Sequence, residues 1–131
     1  MTKRVVPLAE GAPAPIAGAT VGAGLVFVSG LAPVDLATMT PVGDDITTQA
    51  EAVLDQLVDL LERAGSDLGS VLRVECFLAD PSDFPAWNTV FAARFGSDPP
   101  ARTTLVSSFV VPGMRLEVQA VAVARGQREP A

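Results

Sequence analysis

The chain of 131 residues contains no histidine and only one cysteine, and its nine basic residues are outnumbered by fifteen acids. Each shortage excludes something. Without an imidazole, Ser-His-Asp and Cys-His catalysis are closed to it, and so are the zinc and non-haem iron sites usually built on histidine. A lone Cys76 cannot form an internal disulfide, so a cytoplasmic chain is the expectation. The net charge of −6 and pI near 4.4 come with no basic run to track a phosphate backbone, so nucleic acid is not an expected partner. No stretch approaches the ~18 apolar residues of a spanning helix, and no membrane association is expected. Met1-Thr2-Lys3-Arg4 is basic, but Val5-Val6-Pro7-Leu8 is too short for the apolar core of a signal peptide. Chemistry in this chain must rest on arginine, glutamate, hydroxyls and backbone.

What is abundant is apolar surface. Hydrophobic residues make up 49% of the chain and charged residues 18%, rich for one small domain spanning residues 1–131. Part of that surplus is expected to cover an interface with other copies of the chain.

In order, residues 3–8 read as an edge strand, and residues 11–19 as a Gly- and Pro-rich loop that either closes over a pocket or simply connects. Residues 20–21 and 25–30 read as two strands around Gly22-Ala23-Gly24. Leu25 to Val28 is apolar at every position, which predicts burial on both faces. Ser29-Gly30 ends this strand, where a glycine either allows a ligand close to the backbone or serves a plain turn. Residues 31–44 read as a loop. From 45 to 64, Ile46, Ala50, Val53, Leu54, Leu57, Leu61 and Ala64 recur at helical spacing, with Asp45 placed to cap the start and Gly65 to close the end. Glu51, Asp55, Asp59 and Glu62 fall off that stripe and read as a solvated face.

Residues 71–78 form an alternating strand with Leu72, Val74, Cys76 and Leu78 on one side, which makes Cys76 a buried, protonated thiol. Asp80-Pro81-Ser82-Asp83 is a helix start, after which Phe84, Trp87, Phe91 and Phe95 share a face beside Asn88, and Gly96 ends the helix. Residues 102–110 and 116–124 read as strands of a hairpin turning at Val111-Pro112-Gly113-Met114, followed by a frayed tail over 125–131. The sum is an α+β domain with two helices on one face of a mainly antiparallel sheet. The other face has no third layer in this sequence, and self-association is the economical way to cover it.

Two charges stand out. Pro99-Pro100 stiffens the approach to Arg102, which opens a strand, so its guanidinium would be held firmly; a fixed guanidinium fork matches a carboxylate, although a strand cap or a surface ion pair would use the same residue. Glu117 lies between apolar neighbours and must face solvent or serve a site. In a hairpin turning at Pro112-Gly113, residue 108 faces 117, and Arg102 stands about 20 Å away. One chain cannot bring the pair together; either two chains do so across a subunit boundary, or these are two unrelated surface charges.

These segments together resemble the RidA (YjgF/YER057c/UK114) family over nearly the whole length. The resemblance rests on Leu25-Val26-Phe27-Val28-Ser29-Gly30 with Pro33, the helix from Gln49 to Gly65, residues 71–78, Asp83-Phe84 with Asn88, Pro99-Pro100-Ala101-Arg102, and Leu116-Glu117-Val118-Gln119-Ala120-Val121-Ala122. It implies a chorismate-mutase-like fold, a homotrimer whose sheets form a central barrel, and clefts between subunits. It also implies cofactor-independent hydrolysis of enamines and imines such as 2-aminoacrylate and 2-iminobutanoate to 2-oxo acids and ammonia. The family's carboxylate-binding arginine falls on Arg102, and its acid near the reacting water on Glu117. Ser29, Gly30 and Asn88 fall on pocket-lining positions. No metal is implied. Two positions depart from the pattern: Ile16 stands where the family has a loop tyrosine, and this sequence has none, while Thr104 stands where cysteine is common. The alternative reading is a divergent pathway enzyme, or a binder of a small carboxylate metabolite without the standard deaminase activity.

Overall fold

A computed structural model describes residues 2–9 and 16–125. Its main sheet has six strands: β1 (Arg4–Pro7), β2 (Ala17–Gly22), β3 (Leu25–Leu31), β6 (Val71–Leu78), β7 (Ala101–Val106) and β8 (Leu116–Val123), in the spatial order β1-β2-β3-β8-β6-β7. The stretch from 31 to 44, read as loop, contains a small ribbon of β4 (Val34–Asp35) and β5 (Thr40–Pro41). Helices α1 (Ile46–Arg63) and α2 (Phe84–Phe95) lie on one face of the sheet. The α+β class and the two-helix layer thus stand as expected. Most of the Gly- and Pro-rich loop and all but the first residue of the expected tail lie outside the described residues.

Helix α1 forms for the reasons its spacing suggests. All seven stripe residues are buried, joined by Leu60 and Gln49, and the Asp45 carboxylate accepts from the Thr48 N–H at 2.9 Å. Gly65 takes φ +82°, a left-handed conformation that ends the helix at little cost to glycine. The acids off the stripe make surface ion pairs: Glu51 and Asp55 with Arg94, and Asp59 with Arg63. Helix α2 starts through a single tight turn at Pro81–Asp83, where Asp80 accepts from the Ser82 N–H. Trp87 and Phe91 pack edge-on, with centroids 5.7 Å apart.

Three expectations fail in the sheet. First, residues 102–110 and 116–124 do not form a hairpin: β7 pairs in parallel with β6, Arg102 opposite Val74, while β8 lies between β3 and β6. A parallel pair needs a crossover, and α2 supplies it. The turn at 111–114 is real, with the Met114 N–H reaching the Val111 carbonyl, but it returns the chain across the end of β6 and does not join neighbouring strands. Second, Leu72 is half-exposed, because the β6–β8 register shifts between Val71 and Arg73; Val71 then faces the core and Leu72 turns out. Third, β3 is buried only on the helix side, and Phe27 is 48% exposed on the uncovered face.

Strand β8 shows the sidedness best. Leu116, Val118, Ala120 and Ala122 are buried under the helices, while Glu117, Gln119, Val121 and Val123 look the other way. On that open face Phe27, Leu105 and Val5 are exposed, and so is a polar row in which Arg73 binds Glu75 and Thr103 while Gln119 donates to Glu75.

Candidate functional site

Seven residues were singled out by sequence, and the sheet sorts them onto two sides. Arg102 and Thr104 stand on the helix side at the β7 edge, and Asn88 lies on α2, which covers that side. Arg102 follows Val74 in register and extends over α2, its guanidinium carbon 4.7 Å from the Phe91 ring centroid and 5.5 Å from that of Phe84. It has no carboxylate within ion-pair distance among the described residues. Thr104 is paired with Cys76 on the same face, and the Thr104 hydroxyl, the Asn88 amide oxygen and the Trp87 indole N–H are all buried without a hydrogen-bond partner. Burial pushes the Cys76 thiol up to about 11; the Arg102 charge and the nearby polar ends of Thr104 and Trp87 offset only part of that. Cys76 is therefore a neutral core residue, as its place in the strand suggested.

Glu117 lies on the opposite, uncovered side, paired in register with Phe77. Its carboxylate sits against Gly30, close enough that a Cβ built at position 30 would clash with the Glu117 Oε2 atom. The absent side chain at Gly30 leaves room for the Glu117 carboxylate, a flexible end that a larger residue would displace. Partial burial raises the pKa of Glu117, with no compensating cation beside it, and it makes no hydrogen bond or ion pair among the described residues. Ser29 is the residue before, its hydroxyl donating to the Ala17 carbonyl at 2.6 Å. Ile16 immediately precedes Ala17 and is 65% exposed.

Arg102 and Glu117 remain apart within one chain, for a different reason than a hairpin would give. Their register partners in β6 are three residues apart, about 10 Å, and β6 itself stands between β7 and β8. The two side chains also leave opposite faces of the sheet. A free cationic fork and a free carboxylate thus occupy opposite sides of one protomer.

Sequence reading missed a brace beneath the site. Asp83, buried, receives two N–H donors of Arg115 at 3.1 Å each. Buried Gln49 donates to the carbonyls of Gly43 and Gly113 and accepts the Arg115 N–H at 2.7 Å. It thereby ties α1 to the segment that leads into Glu117. The only available signal was Gln49 itself, a polar residue next to an apolar stripe. A groove of about 510 Å³ runs along Val106, Ser107, Phe109, Val111 and Met114. A smaller one, about 180 Å³, lies on the open face beside Phe27, Arg73, Glu75 and Gln119.

The family model described as endoribonuclease L-PSP matches residues 11–124. The chain belongs to this family, the YjgF/RidA family that its motifs resemble. Protein DfrA of Myxococcus xanthus is 40% identical over 99 residues, 76% of each chain. The 3-aminoacrylate deaminase RutC of Acinetobacter baylyi is 34% identical over 125 residues, covering 93% of this chain and 98% of its own. Among solved structures, the protein of the conserved Rid family YyfA from Yersinia pestis superposes with a TM-score of 0.84 at 25% identity, covering 94% of this chain and all of its own.

Proposed function

We propose that this chain hydrolyses a small enamine or imine acid to a 2-oxo acid and ammonia, in a cleft completed by a second copy of itself. The single observation that carries the reading is Arg102: a guanidinium anchored at the start of a strand, with its hydrogen-bonding fork left free of any acidic partner among the described residues. A guanidinium held this way suits a carboxylate, bound through two parallel N–H donors. RutC lends support from its name, since 3-aminoacrylate carries both a carboxylate and an enamine nitrogen.

Glu117 supplies the complementary half. In a homotrimer whose uncovered faces pack together, the Glu117 of one protomer approaches the Arg102 edge of its neighbour. Arg102 fixes the substrate carboxylate and so the reacting carbon. Glu117 takes a proton from water as the water oxygen bonds to the imine carbon and delivers it to nitrogen; it then takes the hydroxyl proton of the resulting carbinolamine and delivers that to nitrogen as the C–N bond breaks, leaving carbonyl and ammonia. The raised pKa of Glu117 suits both steps, because such a carboxyl gains and loses a proton nearer neutrality than an exposed one. Asn88 and Thr104 line the arginine side, while Ser29, Gly30 and Ile16 line the glutamate side. The ribonuclease of the family's description finds little support here: the net charge of −6 opposes a polyanion, and imidazole is lacking for phosphodiester cleavage.

The test is direct. Purified protein should accelerate 2-oxo acid formation from 2-aminoacrylate generated in situ, and Arg102→Ala should lower that rate by roughly a hundredfold, the worth of a lost charge-assisted pair of hydrogen bonds. Equal rates for the two would end the proposal. A second reading, a carboxylate binder, is favoured by Ile16, which offers no hydroxyl at the pocket rim; binding of 2-oxobutanoate to wild type without any turnover would select it.

A further inference from the structure

A long arginine side chain with no ionic partner does not hold one position by itself, since every ordered rotor costs entropy. Acid pairing would hold it, but would also consume the donors a carboxylate ligand needs. Arg102 is supported in another way. Its guanidinium lies over the faces of two rings of α2, Phe91 at 4.7 Å and Phe84 at 5.5 Å, both within the range at which a ring quadrupole attracts a cation. A guanidinium stacked on a ring uses its flat face and leaves its N–H edge open. The Phe91 ring is itself fixed: it is 7% exposed, packed edge-on by buried Trp87 and against Phe95 at a centroid distance of 4.5 Å. Phe84, the first residue of α2, is 40% exposed and closes the bracket at its outer end.

We infer that Phe91 and Phe84 are the positioning residues of the carboxylate clamp, holding the Arg102 fork by its face so that its donors stay free for substrate. The inference rests on the reading of Arg102 as that clamp. It assigns the α2 aromatic face, half of which is needed for packing, a second task at the β7 edge. The rings touch no reacting atom, so their loss should weaken substrate binding and leave the chemical step alone.

The experiment compares wild type with Phe91→Leu, Phe84→Leu and the ring-retaining Phe84→Tyr. Steady-state kinetics with 2-aminoacrylate and a titration with 2-oxobutanoate are read beside the Arg102 side-chain N–H resonance. In wild type, ring currents should shift that resonance upfield, and each leucine variant should move it back. KM and the 2-oxobutanoate Kd should rise about three- to tenfold in each, with kcat within about twofold of wild type, and Phe84→Tyr should keep wild-type values. Because Phe84 is partly exposed, its variants test the idea even if Phe91→Leu folds poorly. Wild-type KM in the leucine variants, or an unshifted Arg102 resonance in wild type, overturns the inference while leaving the clamp intact. A wild type that neither binds 2-oxobutanoate nor turns over substrate overturns the clamp itself, and the bracket's role with it.

Discussion

Glu117 and Gly30 are neighbours in the candidate site, and both were visible in the sequence only as separate oddities: an acid in an apolar strand, and a glycine at a strand end. The fold joins them by placing β8 beside β3, so that one supplies the carboxylate and the other the missing side chain that makes room for it. The electrostatic consequence has a definite sign. Burial raises the pKa of Glu117 above its unfolded value, so its neutral form is favoured by folding. The stability tied to that neutral form is complete below the unfolded pKa and is lost as pH rises through the folded one. Compared with Glu117→Gln, wild type should therefore melt at the same temperature near pH 4 and at a progressively lower one as pH increases, the gap levelling once Glu117 is ionised. Thermal denaturation of both proteins from about pH 4 to about pH 8 measures this, and a gap independent of pH would contradict it. In the proposed reaction the same group should place the acid limb of the rate profile above that of an ordinary exposed carboxyl.

Between elements, the decisive bonds are those of Gln49. Helix α1 could satisfy its apolar stripe against the sheet without specifying where the 107–115 segment ends, but Gln49 reaches out of the helix to the carbonyls of Gly43 and Gly113 and to the Arg115 N–H. Substituting Gln49→Ala strands these backbone groups in a buried place and opens a small void. A loss of about 2–4 kcal/mol is expected in urea denaturation, several times that of a surface glutamine. The neighbouring Arg115–Asp83 pair fixes the same segment to the start of α2, so the elements carrying Arg102's aromatic bracket and Glu117 are braced to one another. At this scale the helices were legible, because periodicity and caps are local. The pairing of β7 was not: strand 102–106 followed by a turn and another strand has the local signature of a hairpin, and nothing local reports that β6 has already taken β7 as a parallel neighbour.

For the molecule as a whole, the uncovered face of the sheet is the dominant fact. Phe27, Leu105 and Val5 stand exposed around a polar row, and nothing among the described residues covers them. Exposed apolar residues grouped on one face mark an interaction surface. The proposal of a trimer then predicts that the chain sediments at three times its own mass, and that Leu105→Glu, which places a charge on this face without touching the core, shifts it toward monomer. Deaminase activity should fall in proportion to trimer lost, since neither Arg102 nor Glu117 moves in that variant. A monomeric wild type that retains full activity would refute a shared cleft.

What sequence alone determined is everything that depends on neighbours a few residues away: the apolar stripe of α1, the capped start of α2, the buried thiol of Cys76, the class of the fold, and an arginine held by prolines at a strand's mouth. Composition added the exclusions, because a histidine or a basic run that is absent cannot be restored by folding. Tertiary structure decided which strands are neighbours and, through a parity of two along each strand, which face every side chain leaves. That parity sends Arg102 and Glu117 to opposite sides of one sheet, and only contacts between residues far apart in the chain, Val74 with Arg102 and Phe77 with Glu117, could set it.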